Sequence, residues 1–348
     1  MAGQKISKSE LIKRTKKNIY GYSDPIDINL PKKINIIDSH RFNAWGFHRS
    51  GWKYVLHGLS HLHTPSGILL DDFVEQTHAI YYADNAKSGK IPYRQPWVGF
   101  FHQPPKAPQW NTYYSTPQVV FNRDITKQSL ESCLGIFVFT EYLKDWFDEN
   151  LDVPCNVVSH PTETPDIKFS YDKFLDNEYK TVVQLGHHLR KLLSIQKLKT
   201  DMMKVWPVPC EWSRTLYTIE SNREDLVEIE MNNGNYTELP WISNEDYDEM
   251  LSKNIVFLDL YDSSVNNAVV ECIVRNTPIL VNKIPPIVEL LGPNYPFYFN
   301  DLEDASKKLK SFSLVKETHE YISCLDKSPY DMKNFLVELC DTEIYKSL

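Results

Sequence analysis

The residues best suited to chemistry in this 348-residue chain stand just after its apolar runs. His102-Gln103-Pro104-Pro105 follows the run Trp97–Phe101. A histidine held on a strand end and followed by prolines could act as a base or bind a sugar hydroxyl; equally, it could be a satisfied core histidine. His187-His188-Leu189-Arg190-Lys191 follows the run Thr181–Gly186. Here glycine frees the backbone, a helix is expected to begin, and two cations follow. Backbone N–H groups at a helix start, with Arg190 and Lys191, would make a diphosphate site. The plainer alternative, a basic helix start, runs against the helix dipole. Asp262-Ser-Ser-Val-Asn266-Asn267-Ala-Val-Val-Glu271 follows Asn254–Tyr261. Ser and Asn cap a helix there, and Glu271 lies one turn beyond Asn267 on the same face, suited to a ribose diol. A capped helix with one acid would look the same.

Gly46-Phe-His48-Arg49-Ser50-Gly51-Trp52-Lys53 is a near miss to a P-loop. Trp52 intrudes before the lysine, and Tyr54 replaces the hydroxyl that would hold magnesium. A loop that lets substrate approach the backbone, opening a helix at Gly51, fits better; a structural turn is the alternative. Metal chemistry finds no support in the spacing. His57-x3-His61-x-His63 lacks the glutamate of H-E-x-x-H, and neither Asp71-Asp72 nor Asp259-x-x-Asp262 is a D-x-D. No metal and no cofactor is expected.

The composition narrows the classes. Only 12 glycines occur, with no G-x-G-x-x-G, so the dinucleotide fingerprint is absent. The net charge of −8 argues against a nucleic-acid binder. Residues 1–20 nevertheless hold six basic residues against Glu10 alone. That arm reads as solvated, with a peripheral membrane or anionic contact as the alternative. Six cysteines without a C-x-x-C read as reduced thiols in a cytoplasmic protein, and no apolar run is long enough to span a membrane.

Elements that would position these residues alternate between strand and helix. Strands are expected at Lys33–Ser39, Trp97–Pro104, Gly135–Thr140 and Val153–Pro161, with helices at Trp52–His63 and Glu141–Asn150. The polar stretch Pro161–Lys180 reads as a boundary between domains. Beyond it, strands are expected at Thr181–Gly186, Leu226–Met231, Asn254–Tyr261, Pro278–Asn282 and Tyr295–Phe299. Helices are expected at Leu189–Lys199, Asn244–Lys253, Asn267–Arg275, Pro286–Leu291 and Leu302–Ser311. The fold class is therefore α/β: two Rossmann-like parallel-sheet domains facing a cleft. The expected organisation is a basic arm at 1–32, an N-terminal Rossmann-like domain at 33–162, a C-terminal Rossmann-like domain at 163–315, and helices at 316–348.

The segment Asn266–Asn282, with Glu289–Phe299 close behind, resembles the donor-nucleotide segment of GT-B glycosyltransferases, most like the retaining group 4 type. Trp97–Pro105, Gly135–Glu141 and His160-Pro161 are similar to N-domain features of that family. The resemblance runs from about Lys33 to Ala305. It implies that Gly186, Arg190 and Lys191 hold a donor diphosphate, with Asn266 and Asn267 offering N–H groups and Glu271 binding the ribose. It puts His102 beside the donor sugar, and Gly46, His48, Arg49, Ser50 and Gly51 in a loop bordering donor and acceptor. The family's E-x7-E pair would need a glutamate at 263, where this chain has Ser263; Asp262 stands next door and is the other catalytic candidate.

The resemblance implies a metal-independent, retaining transfer from a nucleotide-diphosphate sugar to a glycan or other hydroxyl acceptor. An inverting reaction would need a base, with His102 or His48 as candidates. The alternative class is a catalytically silent sugar- or nucleotide-binding homologue acting as a partner subunit. The oligomeric state, the base and the sugar are not readable from these residues.

Overall fold

The computed structural model describes residues 28–36, 50–208, 210–223, 235–240 and 242–348. The basic arm of residues 1–20, the loop residues Gly46, His48 and Arg49, and the strand expected at Leu226–Met231 lie outside them. The described residues divide into two compact units. One comprises the chain to Lys106, Thr112–Glu163 and Ser328–Leu348; the other comprises Ala107–Asn111 and Thr164–Lys327.

The first unit is built on β1 (Ile34–Ile36), β2 (Ile68–Asp71), β3 (Trp97–Phe100), β4 (Cys133–Val138) and β5 (Cys155–Val157), all parallel and in that order. Parallel strands are buried on both faces, which explains the unbroken apolar runs WVGF and GIFV. β2 is the strand the sequence hides. Its four residues ILLD end in an acid, too short a run to stand out. The core gathers Trp97, Phe101, Ile136, Val138, Leu143 and Phe147. Helix Glu141–Asn150 starts where the Thr140 hydroxyl accepts from the Leu143 N–H. Helix Trp52–Leu59 begins at Gly51. Its Gly58 leaves the space taken by the Met332 sulfur, where a Cβ would stand only 2.0 Å away. Helix Met332–Asp341 therefore packs close on this helix.

The second unit has six parallel strands: β6 (Thr181–Gln184), β7 (Met203–Pro207), β8 (Tyr236–Leu239), β9 (Ile255–Leu258), β10 (Ile279–Asn282) and β11 (Tyr298–Phe299). Their spatial order is β11-β10-β9-β6-β7-β8. The chain steps outward from β6 through β7 and β8, then returns to lay β9 on the other side. The β6–β9 junction is thus a topological switch point, where ligands bind in open α/β sheets. β7 reads poorly as a strand because MKVWP carries Lys204 at its centre. That lysine is buried, and its ammonium donates to the carbonyls of Gln196 (2.9 Å) and Leu198 (3.2 Å).

Two expected elements of this unit are corrected. No helix spans Leu189–Lys199; only Ser194–Lys197 is helical. Leu189 adopts φ 54°, a left-handed conformation incompatible with a helix start. The backbone is committed elsewhere: the Lys191 N–H donates to the Asp259 carbonyl (2.7 Å) and the Tyr261 N–H to Leu189 (3.0 Å). These cross-links tie the loop to the chain after β9. The strand expected at Tyr295–Phe299 shrinks to Tyr298–Phe299. Among the described residues, no helix is long and apolar enough to cross a membrane.

Candidate functional site

At the switch point of the second unit, two loops meet: Leu185–Lys191 after β6 and Asp259–Asn266 after β9. Gly186 turns the first with φ +70°, and its carbonyl accepts from the Trp206 indole at 3.0 Å. A side chain there would be strained whatever the space, and its Cβ would face the Arg190 guanidinium at 3.4 Å.

Arg190 is buried, and its guanidinium spends its donors on the loop itself. Nε donates to the Leu185 carbonyl (3.1 Å), Nη1 to that of His188 (2.5 Å), and Nη2 to Asn266 Oδ1 (3.1 Å). Burial draws its pKa down to about 10, against the opposing influence of Tyr247 and Glu271. Arg190 therefore shapes the Gly186 turn and brings a fixed positive charge close to it. Lys191 is more exposed and pairs with Asp259 Oδ1 at 2.8 Å; the other oxygen of Asp259 accepts from the Ser194 hydroxyl. His187 Nδ1 lies 2.9 Å from the Ser213 hydroxyl. Burial first, and Arg190 second, hold its imidazole neutral with a pKa of about 4.

The second loop leads into helix Asn267–Arg275. Asn266 caps it, its side-chain oxygen accepting from both the Ala268 N–H and Arg190. The helix is buried along its length, as its continuous apolar sequence requires. It ends at Asn276, which takes φ 59°. Glu271 is buried one turn in, and the Tyr247 hydroxyl donates to its carboxylate. Arg275, fully buried, is held by Asp248 Oδ1 at 2.6 and 3.1 Å. Asp262 and Ser263 are buried in the same loop. Two buried polar atoms here, Gln184 Oε1 and Ser264 Oγ, have no hydrogen-bond partner among the described residues. Buried polar atoms of this kind are satisfied by water or ligand.

Gly186, Arg190, Lys191, Asn266 and Glu271 thus gather at one switch point. The diphosphate reading loses its first helix start, since Leu189 is not helical. The start at Asn267 is the one that exists.

A separate polar centre lies at the carboxyl ends of β2–β5 in the first unit. Glu75 is buried there, and its Oε1 accepts the backbone N–H groups of His102 and of Gln103 (2.6 Å). Its Oε2 lies 3.3 Å from His102 Nδ1. The His102 ring is boxed by Trp52 (4.5 Å between centroids), Phe73 (4.6 Å) and Phe139 (5.3 Å). Trp52 donates its indole N–H to Asp72 at 2.7 Å. His160 is buried beside Phe139, and burial, then the nearby His102, lower its pKa to about 4. Ser50 is buried and Gly51 precedes the first turn of the adjoining helix.

Reading the sequence missed Glu75, Asp259 and Tyr247 as partners of these groups. The only signal for Glu75 was its place three residues after Asp71-Asp72.

No protein-family model matches the chain, and no curated protein matches it. Solved structures do match. HepE of Anabaena, in complex with UDP and glucose, aligns with TM-score 0.59 at 10% identity over 85% of this chain and 81% of HepE. Sucrose-phosphate synthase of Thermosynechococcus elongatus aligns at 0.56 and 11% identity, over 85% and 77%. TarM aligns at 0.53 and 10% identity over 80% of this chain, which spans 54% of TarM. The chain has the GT-B fold of these proteins.

Proposed function

We propose that the chain transfers a sugar from a nucleoside-diphosphate sugar to a glycan or other hydroxyl acceptor, without a metal and with retention of configuration. The observation that carries this reading is the junction of β6 and β9, where the Gly186 turn, the Asn266-capped helix and the buried Glu271 converge. HepE, similar in fold, binds UDP and glucose, which supports the same ligand class here.

In this reading the diphosphate lies over Gly186 and the N–H groups at the start of helix Asn267–Arg275. Negative charge grows on the leaving phosphate as the glycosidic bond breaks. Prealigned N–H dipoles and the buried charge of Arg190 would stabilise it. Lys191 would turn from Asp259 to the phosphate. Glu271 would take the ribose hydroxyls. Ser263 stands where the family pattern has a glutamate, which leaves Asp262 as the acid candidate of this loop; His102 is the candidate of the first unit. In a retaining reaction the departing phosphate can accept the acceptor's proton, so no separate base is needed. The six cysteines are free thiols, which supports a reducing, cytoplasmic setting.

Thermal-shift measurements with UDP, GDP, ADP and CMP test the donor site. A ligand at about 100 times its Kd stabilises by about 2.7 kcal/mol. The reading expects a shift with at least one of them, undiminished by EDTA; no shift with any would end it. NMR of the product anomer then decides retention.

A further inference from the structure

We propose that Glu75 is a positioning residue for His102: its carboxylate fixes the imidazole in the Nδ1–H form, so that Nε2 carries the lone pair. The proposal rests on the transfer reading above for its consequence in turnover, but not for its geometry.

Glu75 is one of the most deeply buried acids in the first unit. A buried carboxylate needs hydrogen-bond donors to remain ionised. Glu75 has two that cannot move, the backbone N–H groups of His102 and Gln103, both on Oε1. The same strand end that supplies these donors carries the imidazole. With Oε1 pinned, Oε2 is aimed at His102 Nδ1, 3.3 Å away. A carboxylate can only accept, so Nδ1 must carry the proton. Nε2 is shielded from bulk water, so the protein rather than solvent decides which nitrogen is protonated. Among the described residues, the charged and titratable groups packed around the ring include Glu75 itself, His160, held neutral by burial, and Asp72, which accepts from the Trp52 indole against the ring's face. Trp52, Phe73 and Phe139 leave the imidazole little room to flip. The widened turn Gln76–Ile80 begins immediately after Glu75. Such π turns recur at functional sites.

The consequence is chemical. An imidazole with Nδ1–H donated to a carboxylate presents Nε2 as an acceptor for a hydroxyl or proton, the arrangement by which a buried acid orients a catalytic histidine.

Glu75→Gln tests this with little change of shape. Its amide oxygen can still accept the two backbone N–H groups, while its NH2 now donates to Nδ1 and drives the proton to Nε2. In protein labelled with 15N-histidine, with His102→Phe used to assign the signals, the wild type is expected to show Nδ1–H and the variant Nε2–H. Hydrolysis of UDP-glucose is expected to lose on the order of 10²-fold to 10⁴-fold in kcat, with KM little changed. A wild-type ring protonated on Nε2 overturns the assignment. A variant that switches tautomer yet keeps its kcat overturns the positioning role. Should the wild type neither bind nor hydrolyse any nucleotide sugar, the transfer reading falls, and the nitrogen shifts alone decide the assignment of Glu75.

Discussion

The two polar centres solve the problem of burying polar groups in opposite ways. In the second unit the centre is made of full charges set against one another: Lys191 with Asp259, Arg275 with Asp248, and Arg190 near Glu271. In the first unit it is made of the neutral His160, the His102 ring and one carboxylate held by backbone N–H groups. Burial chiefly pushes His160 to about 4; elsewhere in the unit it pushes His78, which meets the Thr126 hydroxyl, to about 3. The contrast teaches that one centre is built to hold charge and the other to hold orientation. A leaving diphosphate needs the first; an imidazole committed to one tautomer needs the second.

The largest effect expected from breaking this contrast is on the charged side. Arg275→Leu strands Asp248 without its partner in the interior. Losing one member of a buried pair costs about 3–5 kcal/mol, read as a lower denaturant midpoint. A loss under about 1 kcal/mol would mean that the pair adds little. Next comes Gly186→Val, which must hold a β-branched residue at positive φ. Donor binding is expected to weaken by roughly a hundredfold or more, about 2.7 kcal/mol by calorimetry with UDP, while the first unit keeps its own fold. Unchanged affinity would move the donor away from this turn. Lys191→Met removes a half-exposed charge and is expected to weaken UDP binding about tenfold, about 1.4 kcal/mol, with a smaller loss of stability than Arg275→Leu. A variant that binds as tightly as wild type would confine Lys191 to its pair with Asp259.

The smallest effect sharpens the neutral side through pH. His78 and His160 bind fewer protons when folded than when unfolded, so their contribution is lost as pH falls below about 6.5. Asp71 works the other way. Burial, then Asp72, raises its pKa from 3.8 to about 7. The folded chain therefore binds more protons there, and stability is lost as pH rises through 4 to 7. Asp71→Asn is expected to raise the melting temperature at pH 8 and to steepen the loss on acidification. A ΔΔG on the order of 1 kcal/mol shifts the melting temperature by about 2–4 °C in a domain of 150–250 residues. A variant with an unaltered pH profile would show that the carboxyl titrates normally in the folded protein.

Much of the architecture was legible in the sequence. The apolar runs at Trp97–Phe100, Ile255–Leu258 and Ile279–Asn282 are strands because a doubly covered parallel sheet leaves no polar alternation. The cap at Asn266 and the αL residue at Asn276 bracket a helix of the expected length. Where local pattern misled, a distant partner was responsible. Lys204 sits inside β7 because two carbonyls receive it, and Gly186–Lys191 fails to become a helix because β9's loop claims its N–H groups. Asp71-Asp72 offered no metal motif in the sequence and Glu75 no signal of a role, yet all three are buried.

By itself, then, the sequence determined what is local: strand runs, the helix cap, the spacing from Asn267 to Glu271, and the glycine at 186. Tertiary structure alone decided who faces whom. Lys191 meets Asp259 across 68 residues, and Glu75 meets Gln103 across 28. The reason is physical. Periodicity records which side of an element is apolar, whereas the partner of a buried charge or imidazole is chosen by which strands lie side by side.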